Sequence, residues 1–95
     1  MNTVSTIDTM QTRLAELHPV HLEIQDDSAS HAGHAGAQRG GGHYILTIVS
    51  ATFVGQGTLA RHRKIYELLG DLMQQQIHAL SIQAHTPDEF FSTRH

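Results

Sequence analysis

Ninety-five residues with 39% hydrophobic content and no tryptophan make one small domain with a modest aliphatic core. The formal net charge of -3 argues against a generic polyanion binder, because phosphate affinity comes from positive charge. The absence of cysteine excludes disulfides, a thiol nucleophile and any thiolate metal site built from this chain alone, and fits a reducing, cytoplasmic setting.

The N-terminal MNTVSTIDTM has no basic region and no apolar run, so no signal peptide is expected. No apolar segment approaches membrane-spanning length. Thr3 to Leu17 reads as a helix, with Val4, Ile7, Met10, Leu14 and Leu17 at three- and four-residue spacing and Thr3 or Thr6 as cap. Pro19 disfavours a helical His18, so the helix should stop there. Val20 to Gln25 alternates: Val20, Leu22 and Ile24 face one way, His21, Glu23 and Gln25 the other. That is a half-buried strand.

Asp26 to Gly42, DDSASHAGHAGAQRGGG, has no periodicity and reads as a flexible loop of 17 residues, too long for a tight turn. His43 to Ser50 is β-rich and apolar on both parities, which suits a central strand. A turn through Phe53 and Gly55-Gln56-Gly57 follows, then a helix from Thr58, its expected cap, to Met73. On that helix Leu59, His62, Ile65, Tyr66, Leu69, Leu72 and Met73 fall on one stripe. Lys64, Glu67 and Asp71 lie opposite, and Gly70 sits inside at some cost.

Ile77 to Ala84 alternates again, with His78, Leu80 and Ile82 on one face. Thr86-Pro87-Asp88-Glu89 is a capping box with proline at the first helical position, and opens a short helix carrying Phe90 and Phe91. The tail, 92–95, should fray. The order is αββαβ plus a final short helix, an α+β chain forming a single domain over 1–95. A right-handed crossover makes the last two strands parallel, and the first two are expected antiparallel.

Nine histidines are the compositional anomaly, at positions 18, 21, 31, 34, 43, 62, 78, 85 and 95. Histidine titrates near neutral pH and is the commonest metal ligand. The expected topology gathers His31, His34, His43 and His78 at one end of the sheet. It sends His62 and His85 to the other end, with His62 a structural residue on the core stripe. Arg61, Arg63 and Lys64 cluster within four positions. They read as a solvated helix flank or as a docking surface for an acidic partner or nucleic acid. His18, His21, His85 and His95 read as surface residues. No nucleophile, base and orienting group assemble, so an enzyme is not expected.

The run HYILTIVSATFVGQGTLARHRKIYELLGDLMQQQIHALSIQAHTPDEF resembles the BolA family. The matching features are the strand ending in Val49-Ser50, the Phe53-Val54-Gly55 turn and the Arg61-His62-Arg63 helix. The Ile77-His78-Ala79-Leu80 strand and the Thr86 to Phe90 ending complete the set. HLEIQDDSASHAGHAG resembles the family's first strand and variable loop.

The resemblance implies a type II KH-like fold with a three-stranded mixed sheet packed against helices. It implies a monothiol, CGFS-type glutaredoxin as partner and a [2Fe-2S] cluster shared with that glutaredoxin and glutathione, with no cluster expected in the isolated chain. By position, His31 of the loop and His78 of the third strand would be the ligands, with His34 and His43 as alternates. DNA is the second partner the family suggests, though the chain has no GxxG loop of KH type. The free chain is expected to be a monomer or weak dimer.

Overall fold

A computed structural model describes residues 5–27 and 42–92, and their order is α1 (Thr6–Leu14), β1 (His21–Asp26), β2 (Gly42–Val49), α2 (Thr58–Leu69), α3 (Leu72–Gln75), β3 (Ile77–His85) and α4 (Pro87–Ser92). The sheet order is β1-β2-β3, with β1 antiparallel and β3 parallel to β2. This is the mixed three-stranded arrangement expected from the sequence, with helices on one face.

Register explains which side chains meet the helices. Leu22, Ile48 and Ala84 form one row across the three strands, and Ile24, Leu46 and Ile82 the next. Leu46 and Ile48 are completely buried, and the flanking-strand residues are partly buried against them. Over this face lie Met10 and Leu14 of α1, Ile65 and Leu69 of α2, and Phe53 and Leu72, all buried. Each large apolar side chain buried in this way contributes about 1.5–3 kcal/mol. The opposite face carries His21, Glu23, Gln25, Thr47, Ser81 and Gln83, and among the described residues no helical layer covers it along its length.

The first helix ends as its sequence suggests. A 3-10 turn, Ala15–Leu17, extends α1 until His18 adopts a left-handed conformation (φ 48°) just before Pro19. The cap at the start is Ser5 rather than Thr3 or Thr6; its hydroxyl accepts from the Asp8 amide at 3.1 Å. Buried Ser50 ties this end to the sheet: its hydroxyl donates to the Leu17 carbonyl at 2.6 Å and accepts from the Thr52 amide at 3.0 Å.

The long helix departs from its expected form in three places. Gly57, not Thr58, is its N-cap, and no side chain caps it. Gly70 does not sit inside the helix but ends it, with φ 51° and ψ -125°, a conformation open mainly to glycine. The chain then restarts as α3. Finally, Leu59 and Tyr66 are 66% and 42% exposed, so the buried stripe is narrower than the periodicity implied and centres on Ile65 and Leu69. Arg13 of α1 reaches across this break: its guanidinium donates to the Leu69 carbonyl at 2.7 Å and to Asp71 at 3.0 Å. That cation holds the Asp71 carboxyl below its ordinary range.

Candidate functional site

The end of the sheet where β1 finishes and β2 and β3 begin is built around one irregularity. Gly42 pairs with Ile77, yet His43 pairs with Ala79, so β3 holds one extra residue, His78, at a bulge. Ile77 is buried and Leu80 is partly buried against the core, although three positions separate them. Strict alternation cannot turn both inward; the extra residue makes it possible. His78 is therefore exposed and lies beside His43, with ring centroids 5.1 Å apart and planes at 46°. The sequence expectation that His78 shares a face with Leu80 and Ile82 is corrected by this bulge.

The backbone around the pair is pinned. The Asp27 amide donates to the His43 carbonyl at 2.7 Å, and the Gly42 amide donates to the Gln76 carbonyl at 2.9 Å. Gly42 is required by packing: a Cβ there would stand 2.6 Å from atoms of the Tyr44 ring. Asp27 and Gly42 are also the residues that flank the loop carrying His31 and His34. Those two histidines lie outside the described residues, as does His95.

Two neighbouring imidazoles can offer two nitrogen lone pairs, which falls short of the four ligands a closed metal site needs. Among the described residues no group of three or more histidine or carboxylate side chains could hold a metal ion. Any metal at His43 and His78 must draw its other ligands from elsewhere.

At the other end of the sheet the basic cluster divides. Arg61 is not a free docking residue: its side chain is only 12% exposed. Its two terminal nitrogens donate to Glu89 at 2.7 and 3.0 Å; it also donates to the Ala84 carbonyl at 3.0 Å and the Gln56 carbonyl at 2.7 Å. Its guanidinium lies 5.8 Å from the Phe53 ring centre. Glu89 closes the expected capping box: it accepts from the Thr86 amide at 3.0 Å while the Thr86 hydroxyl accepts from the Glu89 amide at 3.1 Å. The Arg61 guanidinium, with the Thr86 amide, pushes the Glu89 carboxyl down to about 2. Glu89 in turn holds Arg61 above its ordinary value.

Arg63 and Lys64 are exposed and, with Gln56, Ala60 and Glu67, line a shallow groove of about 420 Å³. His62 of α2 is half-buried.

Sequence reasoning missed a second histidine grouping. The His21 ring stacks on Phe90 at 5.2 Å, and His85 approaches the same ring at 5.7 Å. His21, Val49 and His85 form one row across the sheet, so Phe90 of α4 roofs the end of the otherwise open face. The available signal was the shared parity of His21 and His85 once the strand pairing is known.

The family model described as BolA-like protein matches residues 14–89. SufE-like protein 1, chloroplastic/mitochondrial, of Arabidopsis thaliana is 48% identical over 79 residues; the match takes in 78% of this chain but 21% of that protein. The DNA-binding transcriptional regulator BolA of Escherichia coli (strain K12) is 36% identical over 76 residues, covering 80% of this chain and 70% of that one. Among solved structures, the BolA domain of SufE1 from Arabidopsis thaliana superposes with a TM-score of 0.75 at 41% identity, covering 92% of this chain and 99% of that domain. This chain thus spans about a fifth of the full plant relative. Among the described residues, no helix is long and apolar enough to cross a membrane.

Proposed function

The chain belongs to the BolA-like family, and from that membership we propose that it is a non-catalytic adaptor that binds a monothiol glutaredoxin and shares a [2Fe-2S] cluster with it. The observation that carries this reading is the His43–His78 pair at one end of the sheet, with His78 exposed and His43 half-buried, which is insufficient alone for a metal. An incomplete donor set suits a ligand shared between two proteins. A chain without thiols can contribute only through imidazole or oxygen, and imidazole replaces thiolate on one iron in known iron–sulfur centres.

In this reading His78 presents the ligating nitrogen, and His31 of the preceding loop, with His34 as alternate, supplies the other donor. His43 lies against the His78 ring and limits its orientation, the role outer partners play for metal-ligating histidines. The cluster, when bound, supplies a redox-active iron centre whose remaining thiolates come from the glutaredoxin and glutathione. His78 must be neutral to ligate, so affinity falls as the imidazole protonates.

The test is to mix the chain with cluster-loaded monothiol glutaredoxin and record visible absorption and circular dichroism. A heterocomplex whose spectrum changes in His78→Ala is expected. No complex, or a mutant identical to the parent, sinks the reading.

A second reading, nucleic-acid binding, draws on the exposed Arg63 and Lys64 and on the name of the Escherichia coli relative. A salt titration against duplex DNA should then give a steep slope that falls by about one unit in Arg63→Ala. An unchanged slope would remove that reading.

A further inference from the structure

The two edges of the sheet are guarded differently. Edge strands expose unpaired amides and carbonyls, and proteins protect them with charges, prolines, bulges or covering groups. β1, HLEIQD, carries Glu23 and Asp26. β3, IHALSIQAH, carries no acidic residue, lysine, arginine or proline over nine residues.

Among the described residues, protection of β3 is confined to its ends. At one end stands the bulge at His78. At the other, Arg61 donates to the Ala84 carbonyl, held there by Glu89. The direction of the backbone groups follows. The His85 carbonyl accepts from the Ser50 amide and so points to the β2 side, while the Ala84 carbonyl points away. By the two-residue period, Ile82 and Leu80 also turn their amides and carbonyls outward. Arg61 is the only side chain among the described residues that hydrogen-bonds this outer edge.

We propose that β3 pairs antiparallel with β3 of a second copy of this chain, about a two-fold axis at Ser81. Among the described residues, the two protected ends leave Leu80 and Ile82 as the open residues, and Ser81 is their midpoint. The axis places Leu80 opposite Ile82 of the second copy, a hydrogen-bonded pair that exchanges two bonds and is repeated by symmetry. Both side chains lie on the helix-covered face, partly buried in one copy. Pairing would therefore make the two cores continuous across a six-stranded sheet. On the open face Ala79 meets Gln83 of the second copy and Ser81 meets Ser81, so no like charges oppose each other.

The absence of native cysteine makes the test clean. Ser81 is exposed, and the two copies of this residue would form a non-hydrogen-bonded pair with Cα atoms about 4.5 Å apart, within disulfide reach. Light scattering between roughly 10 μM and 1 mM should show the mass rising toward twice 10.5 kDa, as for a small interface. Ser81→Lys, which opposes two ammonium groups, should stay monomeric with an unchanged far-ultraviolet spectrum.

Under mild oxidation, Ser81→Cys should cross-link at least about tenfold faster than Gln25→Cys, since prepaired thiols react at high effective concentration. Gln25 lies in the same row on the opposite edge, so it controls for chance collision. A chain that stays monomeric to the top of that range overturns the proposal. So does a Ser81→Lys variant that still dimerises, or equal cross-linking of the two cysteine variants.

Discussion

The rings of His43 and His78 stand 5.1 Å apart although the register pairs His43 with Ala79, not with His78. A single inserted residue thus turns an imidazole out of the core-facing row and sets it beside another. If the rings are neighbours in solution, His43→Ala should move the His78 ring proton resonances, while His62→Ala should leave them in place. Equal responses to both substitutions would contradict the pairing.

Gly70 offers a test by sign. In a helix interior, glycine to alanine stabilises by about 1 kcal/mol. At φ 51° and ψ -125° an alanine is strained, and its Cβ would also stand 3.4 Å from the Arg13 guanidinium. Gly70→Ala should therefore destabilise by about 1–3 kcal/mol in urea unfolding. A stabilised variant would restore a continuous helix to Met73.

Leu59 and Ile65 sit on one helical stripe but differ in burial, 66% exposed against fully buried. Ile65→Ala should cost about 2–5 kcal/mol and leave a cavity, whereas Leu59→Ala should stay within about 0.5 kcal/mol. Similar thermal shifts in the two variants would mean that Leu59 is packed after all.

Glu89 gives a pH dependence. Its folded carboxyl titrates at about 2 against an ordinary 4.5, so the proton favours the unfolded chain. The stability it contributes is complete above about 4.5 and is lost as pH falls from there through about 2. Arg61→Ala should bring the Glu89 midpoint back toward 4.5, read by carboxyl carbon resonances, and loosen the Phe90 contact with His21. A midpoint that stays low would assign the effect to the Thr86 amide instead.

The topology was legible because it follows from local signals: alternation, proline and glycine punctuation, and the handedness of a crossover. That reasoning put His43 and His78 at one edge and closed the Thr86–Glu89 capping box. It failed where a tertiary partner decides. The bulge is invisible in Ile77-His78-Ala79-Leu80, since alternation alone places His78 with Leu80. Arg61 looks like its neighbours Arg63 and Lys64 until Glu89, 28 positions away, comes to meet it. Periodicity marks the apolar side of α2 but not how far the sheet reaches beneath it, and so Leu59 and Tyr66 were misplaced.

One consequence of the Arg13 bridge concerns the helices as electrical objects. Arg13 lies in the last turn of α1 and also grips the last carbonyl of α2. The ends of both helices carry partial negative charge from their unsatisfied carbonyls, and cations stabilise such ends. The guanidinium therefore sits favourably at the carbonyl end of α2, with its charge shared with Asp71 just beyond that end. In a chain with six arginines and lysines, Arg13 is thus committed to the junction of α1 and α2, whereas Arg63 and Lys64 face outward.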